Sequence, residues 1–265
     1  MAGYNHILKR TVTSLILLGL VLLALNSFYL SSFFILILII LGLNEFFIIA
    51  QKKGIEVYRY FGIIVGTLIP LSIIFRIEFN TTWQLFLLVL GLIILIILQL
   101  GKRQTKGAIS GISTTIFGIF YVSWLLSFLI RIRYLGKEFL FFLILATKLS
   151  DVGAYLVGSR FGRIPLLPAI SPNKTVEGSL GGIIFSIFSA FIGKMILPYS
   201  WLQIIFLAIS LGILGQLGDL SESLLKRDSE IKDSGNILPG IGGVLDLMDS
   251  FLFTAPVFYF YINII

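Results

Sequence analysis

Apolar residues along this chain fall into long runs, and polar residues are largely confined to the segments between them. Runs of about 18 residues recur from Thr11 to the C-terminus, each long enough to cross the hydrocarbon core of a bilayer as a helix. The hydropathy pattern predicts nine spans, at 11–28, 31–49, 60–75, 83–100, 109–130, 139–157, 178–197, 202–220 and 244–264. The expected fold is therefore all-α, a polytopic membrane helix bundle forming one membrane domain over 1–265. Residues 1–138 read as mainly hydrophobic scaffold. Residues 139–265 read as the half that holds the chemistry, because both long polar connections, 158–177 and 221–243, lie there. Lys9 and Arg10 before an apolar run are compatible with a signal peptide. No small-residue cleavage site follows Ala24, however, and a second run begins at once, so a retained helix is expected.

Charge orients the bundle. Only 12% of residues are charged and 57% are hydrophobic, whereas soluble domains run at about 25% charged, which argues against an ordinary water-soluble enzyme. Fourteen of the basic residues fall on the side of the N-terminus: Lys9, Arg10, Lys52, Lys53, Arg59, Lys102, Arg103, Lys106, Arg160, Arg163, Lys174, Lys226, Arg227 and Lys232. Four, Arg76, Arg131, Arg133 and Lys137, fall on the other. The positive-inside rule then predicts a cytoplasmic N-terminus and, with an odd number of spans, an external C-terminus. The net charge of +7 is thus a topology signal. No basic run is interleaved with exposed aromatics, so nucleic acid is not an expected partner. Lys194, near the outer end of its span, is expected to snorkel.

The chain has no cysteine and a single histidine, His6. This excludes disulfides, thiol nucleophiles, cysteine-bound metals and histidine-based triads. Chemistry must rest on Asp, Glu, Lys, Arg, Ser and backbone groups. Glu45, Glu56, Glu78 and Glu138 are scattered over the first half, but all six aspartates come later, at or near the predicted cytoplasmic face. Asp246 and Asp249 are three apart at the start of the last span, a spacing that shares one face of a helix. Asp219 closes the preceding span, with Glu222 three residues on. Carboxylates crowded at one level repel, and a hard divalent cation such as Mg2+ relieves the repulsion through all-oxygen ligation. For Asp246 alone, attraction to the helix dipole is a sufficient explanation.

The connecting segment supplies the opposite sign. Lys226, Arg227 and Lys232 precede Asp233 and a glycine-rich stretch ending in Gly242 and Gly243. Cations, backbone N–H groups and aspartates together suggest a Mg2+–polyphosphate site, although Lys226 and Arg227 alone also fit ordinary cytoplasmic loop charge. Upstream, Lys148 is spaced to pair with Asp151 inside a span, as a structural or a functional pair. Ser171, Asn173, Lys174, Thr175 and Glu177 surround a helix start, which fits both an anion site and a helix cap.

Three stretches resemble the signature of the phosphatidate cytidylyltransferases (CDP-diacylglycerol synthases): Gly218-Asp219-x-x-Glu222-Ser223-x-x-Lys226-Arg227, Lys232-Asp233-Ser234-Gly235, and Pro239-Gly240-x-Gly242-Gly243-x-x-Asp246-x-x-Asp249-Ser250. Asp151-x-Gly153-Ala154-Tyr155 and Ser171-Pro172-Asn173-Lys174-Thr175-x-Glu177-Gly178 match the same pattern, so that the resemblance covers about residues 147–260. It implies transfer of a cytidylyl group from CTP to phosphatidic acid with Mg2+, giving CDP-diacylglycerol and pyrophosphate. It also implies a bacterial inner-membrane location and commonly a homodimer. Asp219, Asp246 and Asp249 would hold Mg2+ and polyphosphate. Lys226, Arg227, Lys232 and Lys174 would meet phosphates, and Asp151 and Ser171 would shape the site. Two positions depart from the family pattern: Ile241 stands at a usual histidine and Leu247 at a usual arginine. Transfer to another lipid phosphate, a catalytically dead homologue and a transporter remain open alternatives on the sequence alone.

Overall fold

The computed structural model describes residues 2–76, 81–102 and 105–264. Glu78 and Arg103, and the side chains of His6, Lys9 and Arg10, lie outside the described residues. Helix coincides with every predicted span: α1 (Ala2–Ala24), α2 (Phe28–Lys52), α3 (Arg59–Ile74), α4 (Thr81–Lys102), α5 (Ala108–Gly118), α6 (Leu125–Leu135), α7 (Lys137–Phe161), α8 (Val176–Ile196), α9 (Trp201–Asp228), α10 (Val244–Met248) and α11 (Phe251–Ile264). A π-helical segment, Ile119–Trp124, joins α5 to α6. Among the described residues seven segments are long and apolar enough to cross a membrane, while Thr11–Ala24 and Arg59–Ile74 are shorter. The protein is a multi-pass membrane helix bundle.

The chain folds into two compact units, Met1–Ile130 with Asp228–Leu247, and Arg131–Arg227 with Met248–Ile265. The polar segment 228–247 belongs with the helices of the first unit. In the first unit α2, α3 and the π segment pack around Phe46, Phe47, Ile69 and Val122, all buried. Phe46 lies edge-on to Phe47, with ring centroids 5.6 Å apart, and Phe117 stacks on Tyr121 at 5.1 Å. α4 is peripheral: only 11% of its spanning window is buried, against 72% for Ala108–Leu135. Pro70, inside α3, has no N–H for the carbonyl of Gly66. The buried Ser123 hydroxyl of the π segment donates to that carbonyl instead. In an apolar medium a backbone group left without a partner is expensive, so this contact ties α3 to the π segment.

In the second unit α7 and α8 cross at small residues. A Cβ on Gly181 would lie 2.5 Å from Val157 Cβ, and one on Gly178 only 2.9 Å from the carbonyl oxygen of Ala154. Side chains larger than hydrogen would force these helices apart.

Three boundaries differ from the hydropathy reading. α7 continues to Phe161, and the expected loop 158–177 contains an antiparallel hairpin, β1 (Pro165–Leu167) with β2 (Ser171–Thr175). α9 runs on through Asp228 instead of ending at 220, so Glu222, Ser223, Lys226 and Arg227 are helical rather than in a loop. An i,i+4 Glu222–Lys226 pair and basic residues at the C-terminal end sustain those extra turns in a region a membrane window reads only as polar. The last span breaks at Asp249–Ser250, between α10 and α11. There Asp249 Oδ1 accepts the N–H of Ser250 at 2.5 Å, a local bond that competes with the helix ladder. Asp246 and Asp249 therefore do not share the face of one helix.

Replacing Ser123 with Ala removes the substitute donor and is expected to destabilise the protein by about 1–3 kcal/mol, read as a lower melting temperature in detergent. In a Pro70→Ala background the backbone N–H returns, and the same change is expected to have a much smaller effect. Equal effects in both backgrounds would show that the Gly66 carbonyl is not what Ser123 serves.

Candidate active site

The second unit holds a cavity of about 540 Å³. α7 contributes Asp151, Tyr155 and Gly158, β2 contributes Ser171, Asn173, Lys174 and Thr175, α8 contributes Ser179, and α9 contributes Gln216 and Asp219. Six residues singled out in the sequence thus line one space: Asp151, Ser171, Asn173, Lys174, Thr175 and Asp219. The short hairpin makes this possible, because it returns the chain from the end of α7 to the start of α8 with β2 against the cavity. Thr175 also serves as the helix cap, its Oγ1 accepting the N–H of Gly178 at 3.1 Å. Gln216 and Ser179 bind each other reciprocally: the serine hydroxyl donates to Oε1, and Nε2 donates to the serine carbonyl at 3.0 Å.

Charge in this unit is organised in pairs. Lys174 Nζ lies 2.6 Å from Asp219 Oδ2, joining the hairpin to α9. Asp219 Oδ1 accepts from Ser223 Oγ at 3.4 Å. Lys148 Nζ donates to Asp151 Oδ2 at 2.9 Å and to Ser250 Oγ at 3.1 Å, and lies 5.0 Å from the centroid of the Phe251 ring. Asp249, buried ahead of α11, faces the charges of Asp219, Lys148, Glu222 and Asp151. Four carboxylates (Asp151, Asp219, Glu222, Asp249) are therefore set among three lysines (Lys148, Lys174, Lys226).

Other predicted residues are engaged elsewhere. Glu177 accepts the backbone N–H groups of Arg163 at 3.0 Å and Ile164 at 3.2 Å, holding the start of the hairpin rather than the cavity. Glu222 is fully buried and pairs with Lys226 along α9, and Arg227 Nε donates to the carbonyl of Ile170 at 3.2 Å.

In the first unit, Lys232 and Asp233 are exposed. Leu238 and Gly242 exchange two backbone hydrogen bonds, of 2.9 and 3.0 Å, around a tight turn in which Gly242 takes φ +124°, a conformation L side chains rarely adopt. The turn delivers the N–H of Gly243 to Asp246 Oδ2 at 2.7 Å. The same oxygen accepts the N–H of Ser234 at 3.0 Å and its hydroxyl at 2.8 Å. Glu45 was not among the residues singled out. It is buried in α2, and its carboxylate accepts the N–H groups of Val244 at 3.0 Å and Leu245 at 2.8 Å, with the Ser234 hydroxyl at 3.1 Å. Its only sequence signal is a carboxylate inside an apolar run. Among the described residues no group of three or more His, Cys, Asp or Glu side chains is arranged to hold a metal ion. Of the three aspartates assigned that role by resemblance, Asp219 and Asp249 lie in the second unit and Asp246 in the first.

Residues 8–265 match the cytidylyltransferase family. A phosphatidate cytidylyltransferase of Synechocystis sp. is 34% identical, over 96% of each chain. That of Bacillus subtilis is 45% identical over 145 residues, spanning 53% of this chain and about half, 54%, of its own length. An uncharacterized protein of Escherichia coli, YnbB, is 37% identical over 206 residues, 74% of this chain and 68% of its own.

The buried Glu222–Lys226 pair leads to a stability prediction. Lys226→Met removes the ammonium beside a buried carboxylate and is expected to cost about 3–5 kcal/mol, measured as a lower melting temperature. Adding Glu222→Leu should restore most of the loss. A Lys226→Met protein as stable as the parent would free this lysine for a role in binding alone.

Proposed function

Because the chain belongs to the cytidylyltransferase family, we propose that it transfers a cytidylyl group from CTP to phosphatidic acid, leaving CDP-diacylglycerol in the membrane and releasing pyrophosphate. The observation that carries this reading is the convergence of Ser171, Asn173, Lys174, Thr175, Asp151 and Asp219 on one cavity. Hydroxyl, amide and ammonium donors suit phosphate oxygens, and carboxylates suit the accompanying cation.

The reaction needs no nucleophile from the protein. An oxygen of the lipid phosphate forms a bond to the α-phosphorus of CTP, the bond from that phosphorus to the bridging oxygen breaks, and the electron pair leaves with pyrophosphate. Two anions must be aligned and their charge neutralised, which is work for positioned cations and donors. This fits a chain without cysteine and with one histidine. Lys174 is the lysine best suited to a phosphate, since it both lines the cavity and sits on an ion pair that substrate can open. The family motif assigns Lys226, Arg227 and Lys232 to phosphates as well. With Ile241 and Leu247 in place of a histidine and an arginine, the segment after Lys232 brings no cationic side chain, so more of the task falls to Lys174.

Mg2+ would supply charge neutralisation at the phosphates. Asp219, which lines the cavity, and Asp249, which faces Asp219, are carboxylates that would hold such an ion, and the motif gives Asp246 a part in polyphosphate chemistry. The charge distribution supports a cytoplasmic N-terminus, with CTP reaching the site from that side of a bacterial inner membrane.

Purified protein given labelled CTP, phosphatidic acid and Mg2+ is expected to produce labelled CDP-diacylglycerol in the chloroform phase, and EDTA is expected to stop it. Asp219→Asn should lower the rate by about 100-fold or more. Label transfer to a different lipid phosphate would change the acceptor, and an absence of transfer to any lipid phosphate would defeat the proposal.

A further inference from the structure

The first unit places a carboxylate, Glu45, inside an apolar helix and apart from the residues that line the cavity. Glu45 is 2% exposed, and such burial of a carboxylate is tolerated only when donors surround it. Among the described residues its donors come from the returning segment 228–247: the N–H of Val244, the N–H of Leu245 and the hydroxyl of Ser234. The two N–H groups belong to the first turn of α10, where no carbonyl of the helix itself can reach them. Glu45 therefore caps α10 from a different helix, 199 and 200 positions away in the chain.

Space for the carboxylate is provided by glycine. A Cβ on Gly243 would fall 2.5 Å from Glu45 Oε2 and 2.7 Å from Oε1. The Ser234 hydroxyl lies between Glu45 Oε2 and Asp246 Oδ2, at 3.1 and 2.8 Å. One hydroxyl has one proton, so it couples the two carboxylates rather than satisfying each independently. Away from these contacts, the segment is fastened to the same unit by Lys53 with Asp228 and by Thr13 Oγ1 donating to the carbonyl of Pro239 at 2.9 Å.

We propose that Glu45 is a positioning residue for the reaction: by fixing the first turn of α10 and the Ser234 hydroxyl, it sets where the Asp246 carboxylate points. The inference rests on the cytidylyltransferase reading, which gives Asp246 its part in the polyphosphate chemistry. Glu45 itself touches no substrate. Its effect passes through Ser234 and the α10 backbone, so a helix assigned to the apolar scaffold controls the aim of an acid in the motif.

Glu45→Gln keeps the size of the side chain but replaces one acceptor oxygen with an NH2 that must face a backbone N–H or the serine hydroxyl. The expected result is a fall in kcat of about ten- to a hundred-fold, a higher Mg2+ concentration for half-maximal activity, and little change in the KM for CTP. Hydrogen exchange at the amides of Val244 and Leu245 should quicken while α2 and α3 stay protected. Glu56→Gln, which removes an exposed carboxylate near Lys102, is the control and should leave all these quantities at parental values. Ser234→Ala is the milder variant for the case in which Glu45→Gln does not fold. It keeps the α10 cap and removes only the bridge, and a shifted Mg2+ requirement with normal melting supports the proposal. Parental kcat and Mg2+ requirement in folded Glu45→Gln, or in Ser234→Ala where that variant must stand in, overturn it. If the parent transfers no label, the cytidylyltransferase reading fails and this inference, which needs Asp246 in that chemistry, is overturned with it. Exchange at Val244 and Leu245 then reports only whether the cap exists.

Discussion

A carboxylate withdrawn from water needs donors or cations around it, and this requirement organises both units of the protein. In the second unit Asp151 is held by Lys148, Asp219 by Lys174 and Glu222 by Lys226. In the first, Glu45 and Asp246 accept from backbone N–H groups and one serine. The backbone obeys the same rule, since the carbonyl that Pro70 leaves without a donor recruits Ser123. Those that run between elements, Lys174–Asp219, Ser123–Gly66 and the contacts of Glu45, join segments that hydropathy alone leaves free to slide. Apolar packing drives helices together in such a chain, but it specifies register weakly, and polar contacts between helices are the parts that have one correct partner.

In the proposed reaction, placing the polar groups in this way also prepares the chemistry. Transfer of a nucleotidyl group between two anions requires donors that are already aimed, because reorienting them during the reaction adds to the barrier. A hairpin with Lys174 tied to α9, and a helix start clamped from α2, are both means of aiming. The rigid part of each arrangement is a long helix. The part that presents the groups is a short element next to it, either the five-residue β2 or the five-residue α10.

Much of this was legible in the sequence, and the remainder was hidden for identifiable reasons. Helix positions followed from apolar runs, and Lys148–Asp151 followed from its spacing of three. The motif residues that line the cavity could be named in advance because their types, not their distances, advertise phosphate chemistry. Three features could not be read. Hydropathy marks where a helix leaves the apolar layer, not where it ends, so the turns of α9 beyond Leu220 looked like loop. The break at Asp249–Ser250 depends on a local side-chain bond that periodicity does not register. Glu45 finds its partners 189 to 200 positions away, and no local pattern carries that information. A single acid in an apolar run signals only that some partner must exist.

The ion pairs of the second unit differ in a way that bears on how substrate would enter. Glu222 is fully enclosed and Lys226 is 11% exposed, so opening this pair would strand charge in an apolar surrounding. Lys174 and Asp219 are 28% and 35% exposed and both line the cavity. Lys148 and Asp151 are 39% and 38% exposed, and Asp151 lines it as well. Each partner of these two pairs has a natural replacement in a nucleotide–metal complex: phosphate for the lysine and cation for the carboxylate. Such an exchange preserves local neutrality at every stage. The first kind of pair belongs to the framework; in the proposed reaction, the second would keep the cavity neutral until an anion and its cation arrive together.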